Sequence, residues 1–222
     1  FIDTAPNYIY SISLLDGLPI CHEVRCERGA VRVTADDELD AATACRGASA
    51  AVDFLARHGV DATAAVDVRV VAELPAPMPS TVLACCSAQG DRVYLLDFAA
   101  YAKRHGFLVP LPPHRAFHAA VAAHEIAHAL VISVTRSGRL GIVAHEYIAF
   151  VAMLDSLPLA DRARLLALYP SNGPKIETMR GMDLVLMVDP MRFGVAAYRH
   201  FGGQLDPAAF LKRVLTGAAL AE

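Results

Sequence analysis

The sequence predicts an α+β fold in which a small N-terminal sheet with one helix is followed by a mainly helical half. In the first half, short segments alternate between apolar and polar residues, a pattern typical of strands. From His114 onward, apolar residues recur at helical spacing, and two segments begin at an Asp-Pro pair that favours a helix start. We interpret residues 1–222 as one domain, with an α/β lobe at about 1–112 and a helical lobe at about 113–222.

The N-terminal lobe contains three segments with strand or helix patterns. Residues 30–59 predict a short strand and then a helix, for which Thr34 is the expected N-cap. Residues 65–74 alternate as a strand does, and residues 80–98 predict a hairpin with its turn near Gly90. The apolar stripe expected on the helix consists of Leu39, Ala42, Cys45, Val52 and Leu55.

The C-terminal lobe predicts five helices. A polar break at 136–141 separates the first two, and the last two begin at Asp189-Pro190 and Asp206-Pro207, with Asp as N-cap and Pro at the first helical position. The expected helical segments are 114–134, 142–157, 158–170, 189–203 and 206–217.

Composition excludes several classes of partner. Hydrophobic residues make up 55% of the chain and charged residues 19%, which is typical of a globular protein. A net charge of -3 gives no reason to propose nucleic acid or an anionic membrane surface as a partner. The longest apolar run, residues 116–134, contains His118, His124, Glu125 and His128, which are costly in lipid, so we expect no membrane span.

The five cysteines leave two interpretations open. All of them are buried free thiols, or the protein is exported, to the periplasm or outside the cell, and contains one disulfide. The adjacent Cys85 and Cys86 are poor partners for each other because a strand points them to opposite faces. In an exported protein we expect Cys26 to pair with Cys45, because the helix that carries Cys45 should pack over the strand that follows Cys26. The chain begins with Phe1, so we expect that a preceding segment was removed.

The segment His124-Glu125-Ile126-Ala127-His128 carries the strongest chemical signal. Residues four apart share one face of a helix, so His124 and His128 can bind one metal ion through their imidazole nitrogens. Glu125 is turned by about 100° from His124, where it can reach a water on that metal and act as general base. The alternative is a pair of core histidines beside a surface glutamate. The apolar surroundings favour the metal site, because unpaired ionisable groups there are costly.

A catalytic zinc needs a third protein ligand. The metzincin pattern is excluded, because Val131 and Val134 occupy the positions of its glycine and third histidine. The next helix contains the segment Glu146-Tyr147-Ile148-Ala149. With the preceding HExxH motif, this segment resembles the gluzincins, the thermolysin-like and aminopeptidase-like metallopeptidases, in which a Glu on a second helix is the third ligand. The resemblance covers residues 114–156, and the overall pattern also looks like predicted exported bacterial zincins of unknown function.

His145 competes with Glu146 for the role of third ligand. Adjacent helical residues diverge by about 100°, so both cannot point at one ion. Glu146 is favoured, because it shares a face with Ala149 and so lets the two helices approach closely. We expect that face to include Ile142 and Met153 and to press on the zinc helix. His145 would then contact a ligand or the substrate.

The resemblance implies a Zn²⁺-dependent hydrolase of peptide or protein substrates with a zincin-like helical half, with His124, His128 and Glu146 as ligands and Glu125 as general base. Late in the chain, Tyr198 and His200 are candidates for stabilising the oxyanion, although a helix end with cationic residues, which the helix dipole favours, is the preferred explanation. The second hypothesis is a protein that binds metal without cleaving peptides, an interaction module with a structural or inactive site.

Overall fold

The computed structural model describes residues 21–107, 109–135, 140–170 and 182–217. Within them it has the predicted α+β architecture: a five-stranded mixed sheet first, then a mostly helical region. The strands are β1 (His22–Arg25), β2 (Ala30–Ala35), β3 (Ala65–Val71), β4 (Ala84–Cys86) and β5 (Arg92–Leu96). The helices are α1 (Glu38–Arg57), α2 (Phe98–Arg104), α3 (Arg115–Thr135), α4 (Ile142–Ser156), α5 (Leu159–Leu168), α6 (Met182–Val188), α7 (Pro190–Gly202) and α8 (Pro207–Leu215).

The sheet has the strand order β1-β2-β3-β5-β4. The three central strands, β2, β3 and β5, are parallel, and β1 and β4 are antiparallel to their neighbours at the two edges. The predicted hairpin is confirmed as β4 and β5, and Gly90 in its turn has a φ of 71°, a conformation that glycine adopts without strain. The edge strand β4 therefore has one neighbour, β5, within the described sheet.

Helices α1 and α3 cover one face of the sheet and pack against each other. The side chains that point toward them, such as Val33, Val68 and Leu95, are completely buried. Arg32 and Arg69, which point the other way, are exposed. This arrangement places the long helix α3 directly beneath the β4 edge of the sheet.

The face of α1 that meets α3 differs from the predicted stripe. Leu39 is 52% exposed and Ala42 is exposed, whereas Ala44 and Ala48 are completely buried. The buried face is lined by small residues because the helices approach closely at Gly47: a Cβ there would lie 2.4 Å from the carbonyl oxygen of Ala119. Within the predicted stripe, Leu55 is completely buried and Cys45 and Val52 pack against the core, so the prediction was wrong for Leu39 and Ala42.

The predicted N-cap of α1 was also wrong. Thr34 lies within β2, where it is paired with Arg69 of β3. The helix is capped three residues later by Asp37, whose side chain accepts a hydrogen bond of 2.9 Å from the backbone N–H of Asp40. The strand extends through Thr34 because both of its neighbouring strands continue to pair with it.

Replacing Gly47 by Ala should destabilise the protein by about 2–3 kcal/mol, although alanine is the better helix former. The reason is that the added methyl group would overlap the backbone of α3 at Ala119 and Ala123. Chemical denaturation measures the loss in the free energy of unfolding. Gly202→Ala in α7 is the matched control, since a Cβ at that position has no neighbour within 4 Å. Equal effects of the two substitutions would contradict the close approach.

A disulfide joins Cys26 to Cys45, the pair expected for an exported protein. It ties the chain before β2 to the middle of α1, across a sequence separation of 19 residues. Cys85 and Cys86 are not bonded to each other or to another cysteine. The disulfide thus connects the two elements that the sequence predicted to pack together.

Helices α3 and α4 pack against each other and run antiparallel. This direction follows from two contacts, His128 with His145 and His124 with Phe150. The predicted polar break at Ser137-Gly138 lies outside the described residues. On α4, Ala149 and Met153 are buried as expected.

The prediction for Ile142 was wrong: it is 65% exposed. It is the first residue of α4, where the helix has not yet reached the core.

Among the described helices, α3 is the one long and apolar enough to cross a membrane by length and composition. The apolar window of this helix is 72% buried inside the protein, as is common for a core helix. Its buried His118 is a core histidine whose Nε2 lies 2.7 Å from the carbonyl oxygen of Leu96.

The remaining helices support α4. As predicted, Asp189 and Asp206 cap α7 and α8, and a proline follows each of them in the first turn. Helix α7 packs on α4, while α6 packs mainly on α7. The short helices α2 and α6 were not predicted, because seven residues give too little periodicity to separate them from loops.

Candidate metal centre

The site is formed by two histidines of α3 and one glutamate of α4. His124 and His128 are four residues apart on one face of α3, and their Nε2 atoms are 3.1 Å apart. Glu146 faces both of them from α4, with one carboxylate oxygen 3.3 Å from the Nε2 of His124 and the other 3.5 Å from the Nε2 of His128. These are the three residues that the sequence predicted as ligands.

The spacing of these atoms fits a tetrahedral zinc ion. Zinc binds imidazole nitrogen and carboxylate oxygen at about 2.0–2.1 Å, which places any two ligand atoms of a tetrahedron about 3.3 Å apart. The three measured distances, 3.1, 3.3 and 3.5 Å, lie around that value. Three protein ligands leave the fourth position of a tetrahedron for water or substrate, as in catalytic zinc sites.

The electrostatics of the cluster also favour a cation. The two histidine side chains are 12% exposed and that of Glu146 is 21% exposed. Burial opposes ionisation of Glu146, but its hydrogen bonds with His124 and His128 and their attraction outweigh burial and hold its pKa well below the usual range. Glu146 is therefore an anion over the whole neutral pH range, in contact with two imidazoles.

Glu125 projects from α3 into an adjoining pocket of about 380 Å³. Burial is the main reason that the pKa of its carboxyl group rises to about 7; nearby His128 lowers the pKa and nearby Glu146 raises it. Apart from His124 and Glu125, the pocket is lined by Thr81, Val82, Leu83, Ala84, Val121, Phe150, Met153 and Pro190. A carboxyl group that titrates near neutrality, next to a candidate metal ion, is suited to transfer protons.

The raised pKa of Glu125 predicts how the metal-free protein responds to pH. A carboxyl group whose pKa rises on folding stabilises the fold most at low pH, and this stabilisation is lost as the pH rises through the folded pKa of about 7. Gln does not titrate. We therefore expect the free energy of unfolding of Glu125→Gln, relative to that of the unmodified protein, to increase by about 3 kcal/mol when the pH is raised from 4 to 8. Urea denaturation in the presence of a chelator measures this difference, and a gain that is independent of pH would contradict it.

His145 lies beside the cluster without joining it. Its ring centroid is 6.0 Å from that of His128, while the three-residue group with converging ligand atoms consists of His124, His128 and Glu146. Burial, followed by repulsion from His128, lowers the pKa of His145. Glu146 therefore faces the two histidines of α3, and His145 borders this group.

Tyr198 and His200, the candidate oxyanion residues, have other partners. Tyr198 packs under the guanidinium group of Arg162 and lies near Asp155. Asp155 is nine residues after Glu146, which places it about 13 Å from Glu146 along α4. The Nδ1 atom of His200 lies 2.9 Å from the hydroxyl oxygen of Tyr147, on a different side of α4 from Glu146. Neither residue lines the pocket beside Glu125, and the structure gives no support for their predicted role.

Two residues at the site were not among the predicted site residues. Phe150 packs edge-on against His124, with ring centroids 4.5 Å apart. Its position four residues after Glu146, on the same helical face, was the available signal. Burial raises the pKa of the Cys86 thiol in β4 to about 12, and the nearby carboxylate of Glu125 contributes to this rise. The strand pairing that turns Cys86 inward, opposite the buried Val93, could not be read from the sequence.

The chain belongs to a family of unknown function (DUF6639), whose model matches residues 31–222. The match includes α3, α4 and all residues of the candidate metal centre. No curated protein and no solved structure matches the chain.

Proposed function

We propose that this protein is a zinc-dependent metallopeptidase that hydrolyses peptide bonds. His124, His128 and Glu146 hold the metal, and Glu125 is the general base. The observation that carries the proposal is the spacing of the three ligand groups, 3.1–3.5 Å, with a fourth ionisable group, Glu125, on the wall of the adjoining pocket. A purely structural metal site has no use for a general base at that place.

Bound zinc supplies Lewis-acid chemistry: it polarises a carbonyl group and lowers the pKa of a water. Glu125 accepts the proton of the attacking water and then delivers it to the nitrogen of the leaving amine. The carboxyl group is placed for both steps, since it lines the pocket beside His124, and burial raises its pKa to about 7 in the metal-free protein. Hydrolysis then leaves Glu125 ready for another cycle.

The edge strand β4 supports a peptide as the substrate. Residues Thr81–Ala84, which lead into and begin this strand, line the same pocket as His124 and Glu125. An extended peptide can add to a free strand edge through its backbone, which places its successive carbonyl groups along the strand. The apolar wall of the pocket, including Val121 and Met153, is suited to an apolar side chain next to the scissile bond.

Peptide cleavage and metal content, measured together, test the proposal. The zinc-loaded protein is incubated with a mixture of peptides from a digested proteome, and new peptide ends are identified by mass spectrometry. We expect cleavage that is lost on treatment with a chelator and restored by about one equivalent of Zn²⁺. New ends should have an apolar residue at a fixed position relative to the cut.

Two results would contradict the proposal in different ways. A protein that binds no transition metal would refute the metal centre itself. A protein that binds zinc but cuts no peptide faster than Glu125→Gln does would refute the peptidase. The second result would favour the alternative hypothesis, a metal-binding interaction protein.

We also infer that the protein is exported to an oxidising compartment, the periplasm or the extracellular medium. The disulfide between Cys26 and Cys45 supports this, because such bonds are rare in the reducing cytosol. A disulfide that closes a loop of this size contributes roughly 3 kcal/mol to stability. Protein isolated from its host with thiols blocked during lysis should yield the peptide pair that contains Cys26 and Cys45. Recovery of both as blocked free thiols would contradict export.

A further inference from the structure

The Nδ1 atom of His124 has no hydrogen-bond partner among the described residues. His124 turns its Nε2 toward His128 and Glu146, and its Nδ1 is buried on the opposite side of the ring. For Nε2 to bind a metal, the proton of the neutral imidazole must lie on Nδ1. Histidine ligands almost always donate this N–H to a carboxylate, carbonyl or water, which fixes the ring and makes the ligand more basic.

Phe150 packs against this histidine instead of a hydrogen-bond acceptor. The two rings meet edge to face, with centroids 4.5 Å apart and an interplanar angle of 73°. Phe150 is 3% exposed and lies on α4, one turn after Glu146. Besides Glu146, which faces Nε2, the side chain of α4 that packs on the His124 ring is therefore apolar, where an acceptor would strengthen the site.

The position of Phe150 is fixed by its neighbours. Its ring lies 5.9 Å from that of Phe193, centroid to centroid. Gly194 lies directly against it: a Cβ at that position would be 2.4 Å from a ring carbon of Phe150. The missing side chain at Gly194 thus makes room for the aromatic ring, and α7 holds the ring against His124.

We propose that Phe150 is a positioning residue that keeps metal binding at this centre weak by depriving His124 of a hydrogen-bond acceptor. This inference rests on the proposed metal centre. Loss of such a partner typically reduces metal affinity by 10- to 100-fold. The consequence is a centre that exchanges its zinc readily, so that metal loading, and with it activity, follows the supply of zinc.

Zinc affinity, measured by competition with a fluorescent chelator, tests the role of Phe150. Phe150→Asp and Phe150→Glu offer carboxylate acceptors of two lengths, Phe150→Gln offers a neutral acceptor, and Phe150→Leu removes the ring without offering one. We expect Phe150→Gln, and at least one of Phe150→Asp and Phe150→Glu, to bind zinc 10- to 100-fold more tightly than Phe150→Leu. Met153→Glu, which adds a carboxylate to the same pocket one turn away, should gain far less.

If the acceptor variants fold and bind zinc no more tightly than Phe150→Leu, the role of Phe150 is refuted while the metal centre stands. If neither the variants nor the unmodified protein bind zinc, the proposed metal centre, and with it the proposed function, is refuted. Should the polar variants not fold, NMR on the zinc-loaded unmodified protein decides. The Nδ1 proton of His124 should lack the downfield shift of a hydrogen-bonded imidazole proton, and its presence would show that an acceptor exists.

Discussion

Replacing Glu125 by Gln should reduce the rate of peptide hydrolysis by about 10²–10⁴-fold while zinc remains bound. The amide keeps the size of the side chain and its place in the pocket, but it cannot accept the proton of the attacking water. Because Glu125 is not one of the three groups whose ligand atoms converge, the metal should stay. The measurements are kcat/KM on the best peptide found by mass spectrometry and the zinc content of the same sample.

The control for this substitution is Glu27→Gln, which makes the same change at an exposed position before β2. It should leave both activity and zinc content unchanged. Retention of more than a tenth of the activity in Glu125→Gln would exclude Glu125 as the general base, whatever the metal content. Loss of zinc in this variant would mean that Glu125 is a ligand.

Replacing Glu146 by Ala should weaken zinc binding by more than about 100-fold, beyond the 10- to 100-fold range typical of residues that only support a ligand. The substitution removes a carboxylate that lies 3.3 and 3.5 Å from the two imidazoles. It also leaves two largely buried histidines facing the space that the carboxylate occupied. Competition with a chelator of known affinity gives the dissociation constants.

His145→Ala is the matched variant on the same helix. It should change zinc affinity by less than about tenfold, because His145 contacts His128 and is not among the groups whose ligand atoms converge. The reverse order, with His145→Ala losing zinc and Glu146→Ala keeping it, would contradict the assignment of the third ligand and the resemblance to gluzincins.

The parts of the fold that follow local rules could be predicted from the sequence. The caps Asp189 and Asp206, each followed by proline, mark the starts of α7 and α8 because capping involves only neighbouring residues. His124 and His128 were assigned to one site because their spacing matches a helical turn. Glu146 required the further step of a resemblance, since nothing local brings α4 to α3.

The features that depend on distant contacts could not be predicted. The alternation in β2, β3 and β5 indicates strands, but it does not give their parallel order. Thr34 has the chemistry of an N-cap, yet pairing with two neighbouring strands keeps it in the sheet. Gly47 carries no hydrophobic signal, although it sets the distance between α1 and α3. The contact of Phe150 with His124 depends on how α4 packs on α3, which the sequence does not give.

X-ray diffraction from crystals of the zinc-loaded protein, recorded on both sides of the zinc absorption edge, shows whether His124, His128 and Glu146 bind one metal ion. We expect one anomalous peak per chain, within about 2.0–2.2 Å of the Nε2 atoms of both histidines and of a carboxylate oxygen of Glu146. A peak bound to His145 with Glu146 turned to solvent, or no peak at this site in a zinc-saturated crystal, would refute the metal centre.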